Sequence, residues 1–294
     1  MTEFAALSVA RSRAAVMLEL RRLLPGREGL RKTLPFGLAA LDSCLPEGGL
    51  ACGALHEVVP EAQSATAAAF GFIVALLARI SSPPPCGEGL GVEVERFHAS
   101  VDASDLPPAP PPFPPPQGAR EKIIFVMPTY GRRQHGRLSG HGLNGFGLDP
   151  ARLILIETAR QKETLWAMAE ALRSAAPQAV AGMIERLDLK TSQKLHLAAT
   201  DCGLPLLLLR PAQTLEASAA ATRWRVGTAE AARDHFGLYA RPRWHLQLER
   251  CRNGRPGEWV VEYDHVTHRF SLAAALADPA LSRGAGDNPV RQAC

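Results

Sequence analysis

Four short runs in this chain carry apolar residues with little or no alternation: GALHEVV at 53–59, IIFVM at 123–127, LILI at 153–156 and LLLL at 206–209. A strand with one wet face alternates apolar and polar side chains. A run without that alternation belongs in a sheet covered on both sides, as parallel strands joined by crossover helices are. The intervening sequence supplies the helices. Ser64 to Ile80 is alanine-rich with no internal proline, Gln161 to Ala175 is amphipathic, and Thr191 to Asp201 is closed by Gly203, placed as a left-handed cap. Ala179 to Ile184 adds a weaker strand. Alternating strands and helices predict an α/β fold with a mostly parallel central sheet flanked by helices.

Other stretches read differently. Pro60 to Gln63 is expected to turn, and the glycine-rich stretch Gly131 to Gly147 to form a loop with a short helix near Leu143. Past Ala221, Arg223 to Gly227, Arg243 to Cys251 and Glu258 to Tyr263 look like strands. Asn253-Gly254 sits between the last two as hairpin chemistry, so a C-terminal antiparallel hairpin is expected.

The sequence divides into a core at 34–277 and two flanks. Residues 1–33 comprise an amphipathic helix and a basic linker. Ala10, Ala14, Met17, Leu20 and Leu24 form its apolar stripe, opposite Arg11, Arg13, Glu19, Arg21 and Arg22. That stripe is a candidate partner-binding face, with packing on the chain's own core as the alternative. Residues 81–118 interrupt the core with PPPC and PPAPPPFPPP runs, whose prolines cannot donate regular backbone hydrogen bonds, so a disordered insertion is expected. Residues 278–294 are expected to be a flexible tail.

Composition narrows the function classes. A net charge of +4 over 294 residues is not that of a polybasic nucleic-acid coat. No eighteen-residue apolar run argues for a membrane span, and the start, MTEFAALSVARSR, lacks the signal-peptide pattern. Cysteines at 44, 52, 86, 202, 251 and 294 form no C-x-x-C pair, which suits free thiols in a reducing cytoplasm. His265 and His268 beside Asp264 have ligand-like spacing but lack a third ligand, so no metal is expected.

The run GGLACGALHEVVPEAQSAT, 48–66, resembles the segment leading into the phosphate loop of RecA recombinases. It shares a Gly-Gly-Leu turn, a strand with an acidic residue near its end, then Pro60-Glu61 and a threonine at the helix start. Such a loop needs glycines for close backbone approach to phosphate, a lysine for the β and γ phosphates and a hydroxyl for magnesium. Here Val59 stands at the first glycine position, Ser64 at the second and Ala65 at the lysine; Thr66 alone matches. The resemblance puts Thr129 where a water-activating glutamate belongs, with Glu185 the acid nearest the magnesium-linked aspartate position. Phosphoryl transfer is almost wholly electrostatic and positional, so the RecA-like core is expected to be no enzyme and to hold no cofactor.

Further segments sharpen the likeness: LPFGLAALDSCLPEGGL (34–50), GLDPARLILIE (147–157), LWAMAEALR (165–173), KLHLAATDCGLPLLLLRP (194–211), ATRWRV (221–226) and RWHLQLERCRNGRPGEWVVEYDHVTHRF (243–270). Together they resemble the ImuA proteins, a RecA-like family also related to SulA division inhibitors. The resemblance implies a part in damage-induced, error-prone translesion synthesis, beside an ImuB-like inactive Y-family polymerase homologue, an error-prone C-family polymerase and RecA. Two rival readings are a SulA-like inhibitor of the tubulin-like division GTPase and an active RecA-like ATPase.

Residues 205–260 contain nine arginines and five acids. Arg223, Trp224, Arg225, Arg243, Trp244, Arg250 and Arg252 are candidate DNA- or partner-binding residues, because arginines beside aromatics suit phosphate contact and base stacking. The alternative is core tryptophans with solvated arginines on the opposite face of the strands.

Overall fold

A computed structural model describes residues 32–81, 122–231 and 241–273. The stripe of Ala10, Ala14, Met17, Leu20 and Leu24, the insertion and the tail lie outside the described residues.

Strand β3 (Leu55–Pro60) is followed by helix α2 (Thr66–Ser81). Then come β4 (Ile123–Pro128), α3 (Thr129–His135), α4 (Gly140–Gly145), β5 (Leu153–Thr158), α5 (Gln161–Arg173), β6 (Ala179–Met183), α6 (Leu189–Cys202) and β7 (Leu206–Leu209). The chain closes with β8 (Thr222–Ala229), β9 (Arg243–Cys251), β10 (Gly257–Asp264) and β11 (Arg269–Leu272). These nine strands form one sheet in the order β11-β10-β9-β8-β3-β7-β6-β4-β5. From β8 to β5 every pairing is parallel, and β8 to β11 are antiparallel neighbours. The expected hairpin of β9 and β10 is therefore part of a larger antiparallel meander. Asn253 takes the positive φ, 64°, that its turn requires. Before β3, a short strand β1 (Thr33–Leu34) pairs with β2 (Leu50–Ala51), one residue earlier than the expected start of the core. Between them lies helix α1 (Ala39–Asp42), and the Asp42 carboxylate accepts the backbone N–H groups of Phe36, Gly37 and Leu38.

Two apolar clusters explain why the strands lack alternation. Leu207 and Leu209 of β7 face one core with Phe125, Met127 and helix α2, while Leu206 and Leu208 face a second with Val126, Val180 and helices α5 and α6. All four leucines are buried. Helix α2 is long and apolar enough by composition to cross a bilayer, yet Phe72, Ile73, Val74, Ala75, Leu76 and Leu77 are all buried inside the fold. A ring cluster fastens the meander to α2, with Phe72 6.0 Å from both Trp224 and Trp244, and Tyr263 ties it to the end of α4 by donating to the Phe146 carbonyl at 2.7 Å.

Two local expectations need correction. Pro60 does not begin a turn; it ends β3 in register with Val226, and since the ladder bond to the Val226 carbonyl comes from the Glu61 N–H, the missing N–H of Pro60 is not needed there. The stretch 131–147 holds two short helices, and α3 takes up the start of the expected loop. Gly131 packs closely against the Met183 side chain, where a Cβ would stand 2.9 Å from the sulfur.

Candidate functional site

β3 lies between β7 and β8, where the strand order doubles back. Open α/β sheets bind ligands at the carboxyl ends of strands beside such a reversal. The segment from Val59 to Thr66 occupies that position. Val59 is fully buried within β3, and Glu61 N–H continues the ladder by donating to the Val226 carbonyl at 2.8 Å. Gln63–Ala65 make one 3-10 turn that runs directly into α2.

The turn's conformation decides what it can hold. None of residues 59–66 has a positive φ, whereas a phosphate-cradling nest alternates right- and left-handed residues so that successive N–H groups converge. Ala65 is buried and its N–H donates back to the Ala62 carbonyl. The Thr66 hydroxyl, the one group matching a magnesium ligand, donates to the Gln63 carbonyl at 2.7 Å. Ser64 is exposed and Glu61 places a carboxylate over Gly227, with Oε2 3.8 Å from His245 Nδ1. The turn thus presents an acid to solvent and no cation. Thr129 heads α3 with its hydroxyl donated to the Thr158 carbonyl, and Glu185 is exposed beyond β6. Beside Thr129, burial and then the Glu185 charge push the Tyr130 phenol up to about 12, so it stays protonated near neutral pH.

On the same side of the sheet as α5 and α6 a buried charge cluster follows. Glu57 in β3 is fully buried and stands opposite Arg223 of β8. Its Oε2 accepts from Arg223 Nε at 2.9 Å and Ser218 Oγ at 2.8 Å, and its Oε1 lies 3.6 Å from Arg210 Nε. Arg210, 1% exposed in its side chain, also holds Glu216 at 2.6 Å. Buried charges persist only when paired and hydrogen-bonded.

These contacts converge on the segment 211–220 between β7 and β8. Arg223 donates to the Glu216 carbonyl, Arg225 to the Ala212 carbonyl, Arg250 to the Ser218 carbonyl and Arg252 to the Ala219 carbonyl. Arg225 also pairs with Glu249, and Arg243 pairs with Glu262. The structure therefore brings Arg223, Arg225, Arg250 and Arg252 together, but as a clamp on a loop rather than as free cations. Trp224 and Trp244 point to the opposite face, 0% and 3% exposed, and present no ring to a base. Arg250 and Arg252 are the candidates that keep exposed surface.

Sequence reasoning missed Glu57 as the centre of this cluster. Its partners Ser218 and Arg223 lie 161 and 166 residues away, and no local pattern signals such pairing. The turn at Asp264 is explained without a metal. Its carboxylate accepts from Val266 and Thr267 N–H, and His265 Nδ1 lies 2.6 Å from the Gly145 carbonyl oxygen.

Comparison with known proteins gives a consistent likeness. The chain is 30% identical over 260 residues to Protein ImuA of Caulobacter vibrioides, in strains NA1000 / CB15N and ATCC 19089 / CIP 103742 / CB 15. The match covers 83% of this chain and 90% of each relative. No protein-family model matches the chain.

Proposed function

The chain belongs to the ImuA family, and on that premise we propose that it is a non-catalytic adaptor in damage-induced, error-prone translesion DNA synthesis. In this reading it binds an inactive Y-family polymerase homologue of the ImuB kind in the cytoplasm. It works alongside an error-prone C-family polymerase and RecA at damaged DNA.

The observation that carries the non-catalytic half is the turn at 59–66. Its one hydroxyl of magnesium-ligand type is bonded to its own loop, its backbone has no left-handed residue to open an anion nest, and a buried methyl group stands at the lysine position. Hydrolysis of a triphosphate needs charge neutralisation at close range, and the arginines beside the end of β3 are already engaged: Arg225, in register with Val59, by Glu249 and the Ala212 carbonyl, and Arg210 by Glu57, Glu216 and the Ile184 carbonyl.

The adaptor half is tested by isolating the tagged full chain from cells after DNA damage and identifying its cross-linked neighbours by mass spectrometry. Polymerase homologues are the expected partners. Recovery of the tubulin-like division GTPase without any polymerase would replace this reading with that of a division inhibitor.

A further inference from the structure

On the α2 side of the sheet a cavity of about 300 Å³ opens between the start of α2 and residues 135–146. Phe70, Val74, Met127, Leu143, Phe146 and Met183 supply its apolar walls. That volume is about twice the ~150 Å³ that accommodates a benzene in an apolar protein cavity, so it has room for two ring-sized groups. No Asp or Glu lines it; His135 and Arg137 stand at its mouth.

The charge around the mouth is one-sided. Arg132 pairs with Glu157 at 2.7 Å. Arg137, which lines the cavity, is exposed and has no ion-pair partner among the described residues. This contrasts with the arginines of β8, of β9 and of the turn after it, which are tied into the fold. An arginine left unpaired beside an apolar cavity is placed to meet a carboxylate from outside, and an apolar anchor in a desolvated pocket is what concentrates binding energy at an interface. The same charge disfavours the chain's own residues 8–24 as occupant, since that segment carries Arg11, Arg13, Arg21 and Arg22 against Glu19.

We propose that this cavity docks an acidic segment of a partner protein, which inserts one or two large apolar side chains while a flanking carboxylate meets Arg137. The proposal deepens the adaptor reading and rests on it only in assigning the segment to a partner.

The test is fluorescence anisotropy of the purified full chain with a fluorescein-labelled peptide, Glu-Asp-Leu-Phe-Asp-Glu. Two controls accompany it: Glu-Asp-Ser-Ser-Asp-Glu, which removes the anchors, and Lys-Ser-Leu-Phe-Ser-Lys, which reverses the charge. Ala67 is exposed on the first turn of α2 and lines the cavity, so Ala67→Phe fills the mouth without entering the core. Arg137→Glu changes an exposed side chain and leaves packing intact. Saturable binding of the first peptide is expected, weakened about tenfold or more in each control and each variant. Absent binding, affinity unchanged by both variants, or equal affinity for the Ser-Ser peptide would overturn the proposal. Sedimentation showing a dimer of the chain that Ala67→Phe dissociates would give the cavity to a second copy and overturn it as well. Because the peptides are synthetic, a negative titration removes this site and leaves the adaptor reading to its own co-purification test.

Discussion

Glu57 of β3 and Arg223 of β8 sit in register on adjacent parallel strands, and their charged groups meet at 2.8 Å with the carboxylate fully buried. The pair joins the centre of the parallel sheet to the first strand of the meander. Through Ser218, Glu216 and Arg210 it also fixes the path of the segment between β7 and β8. Arginines that seemed suited to phosphate contact thus have a structural partner inside the fold.

Replacing Glu57 by Gln removes the carboxylate that pairs with Arg223 and leaves the buried Arg210 to Glu216 alone. Breaking one side of a buried pair costs ~3–5 kcal/mol, mostly through the uncompensated charge that remains. Urea denaturation followed by tryptophan fluorescence should show a midpoint reduced accordingly. A midpoint equal to that of the unaltered chain would mean the cluster does not hold the two halves of the sheet together.

His56 gives the fold a defined acid sensitivity. It is buried next to Glu57 in β3, with Nδ1 2.8 Å from Thr222 Oγ1 and Nε2 2.8 Å from the Ala51 carbonyl oxygen. Trp224 Nε1–H donates to the same threonine oxygen. One neutral tautomer satisfies the chain: Trp224 donates to Thr222, Thr222 to His56 Nδ1, and His56 Nε2–H to Ala51. Burial, set against the Ala51 hydrogen bond and reinforced by His196, lowers its pKa to about 4. The unfolded chain takes up this proton near the ordinary value of 6.5, so it binds more protons than the folded chain between the two values. Stability from this group is whole above pH 6.5 and is lost as pH falls toward 4, by about 3 kcal/mol at most. A His56→Gln variant should flatten that part of the stability profile; an unchanged slope between pH 6.5 and 4 would show that His56 is not responsible.

Much of the architecture is readable from the residues, for identifiable reasons. β7 and β9 have the bounds expected from sequence because LLLL is apolar on both faces and RWHLQLERC is bounded by proline and a turn. Gly203 caps α6 with φ 71°, as its position after the last helical residue suggests. Helix α3 is not readable: TYGRRQH has no apolar stripe, and the contact of Gly131 with Met183 joins residues more than fifty positions apart. β11 is four residues long and takes its strand character from pairing with β10. The candidate site divides the same way. The turn at 59–66 was legible because it is contiguous, whereas the engagement of Arg223, Arg225, Arg250 and Arg252 depends on where the segment 211–220 runs.

Trp224 tests whether the tryptophans serve the core. It is fully buried among Phe36, Phe72 and Trp259. Trp224→Ala should cost ~3–5 kcal/mol of stability, as large-to-small changes of buried aromatics do. Differential scanning calorimetry would read this as a large fall in Tm. A Tm unaffected by the change would place the ring outside the core.

Restoring the missing loop residues should not restore chemistry. Ser64→Gly with Ala65→Lys supplies backbone freedom and an ammonium, yet Thr129 still has no carboxylate to activate water and Glu61 still faces the turn. Single-turnover assays with the double variant are expected to show hydrolysis at the uncatalysed rate. Robust turnover would mean that a water-activating group exists elsewhere in the fold.

The account is tested most directly by titrating magnesium-ATP into the purified full chain in a calorimeter, with phosphate release measured on the same sample. No saturable heat and no phosphate above the buffer blank are predicted. Stoichiometric binding with turnover, both abolished by Thr66→Ala, would contradict the reading of this ImuA-family chain as a protein that binds partners without nucleotide chemistry.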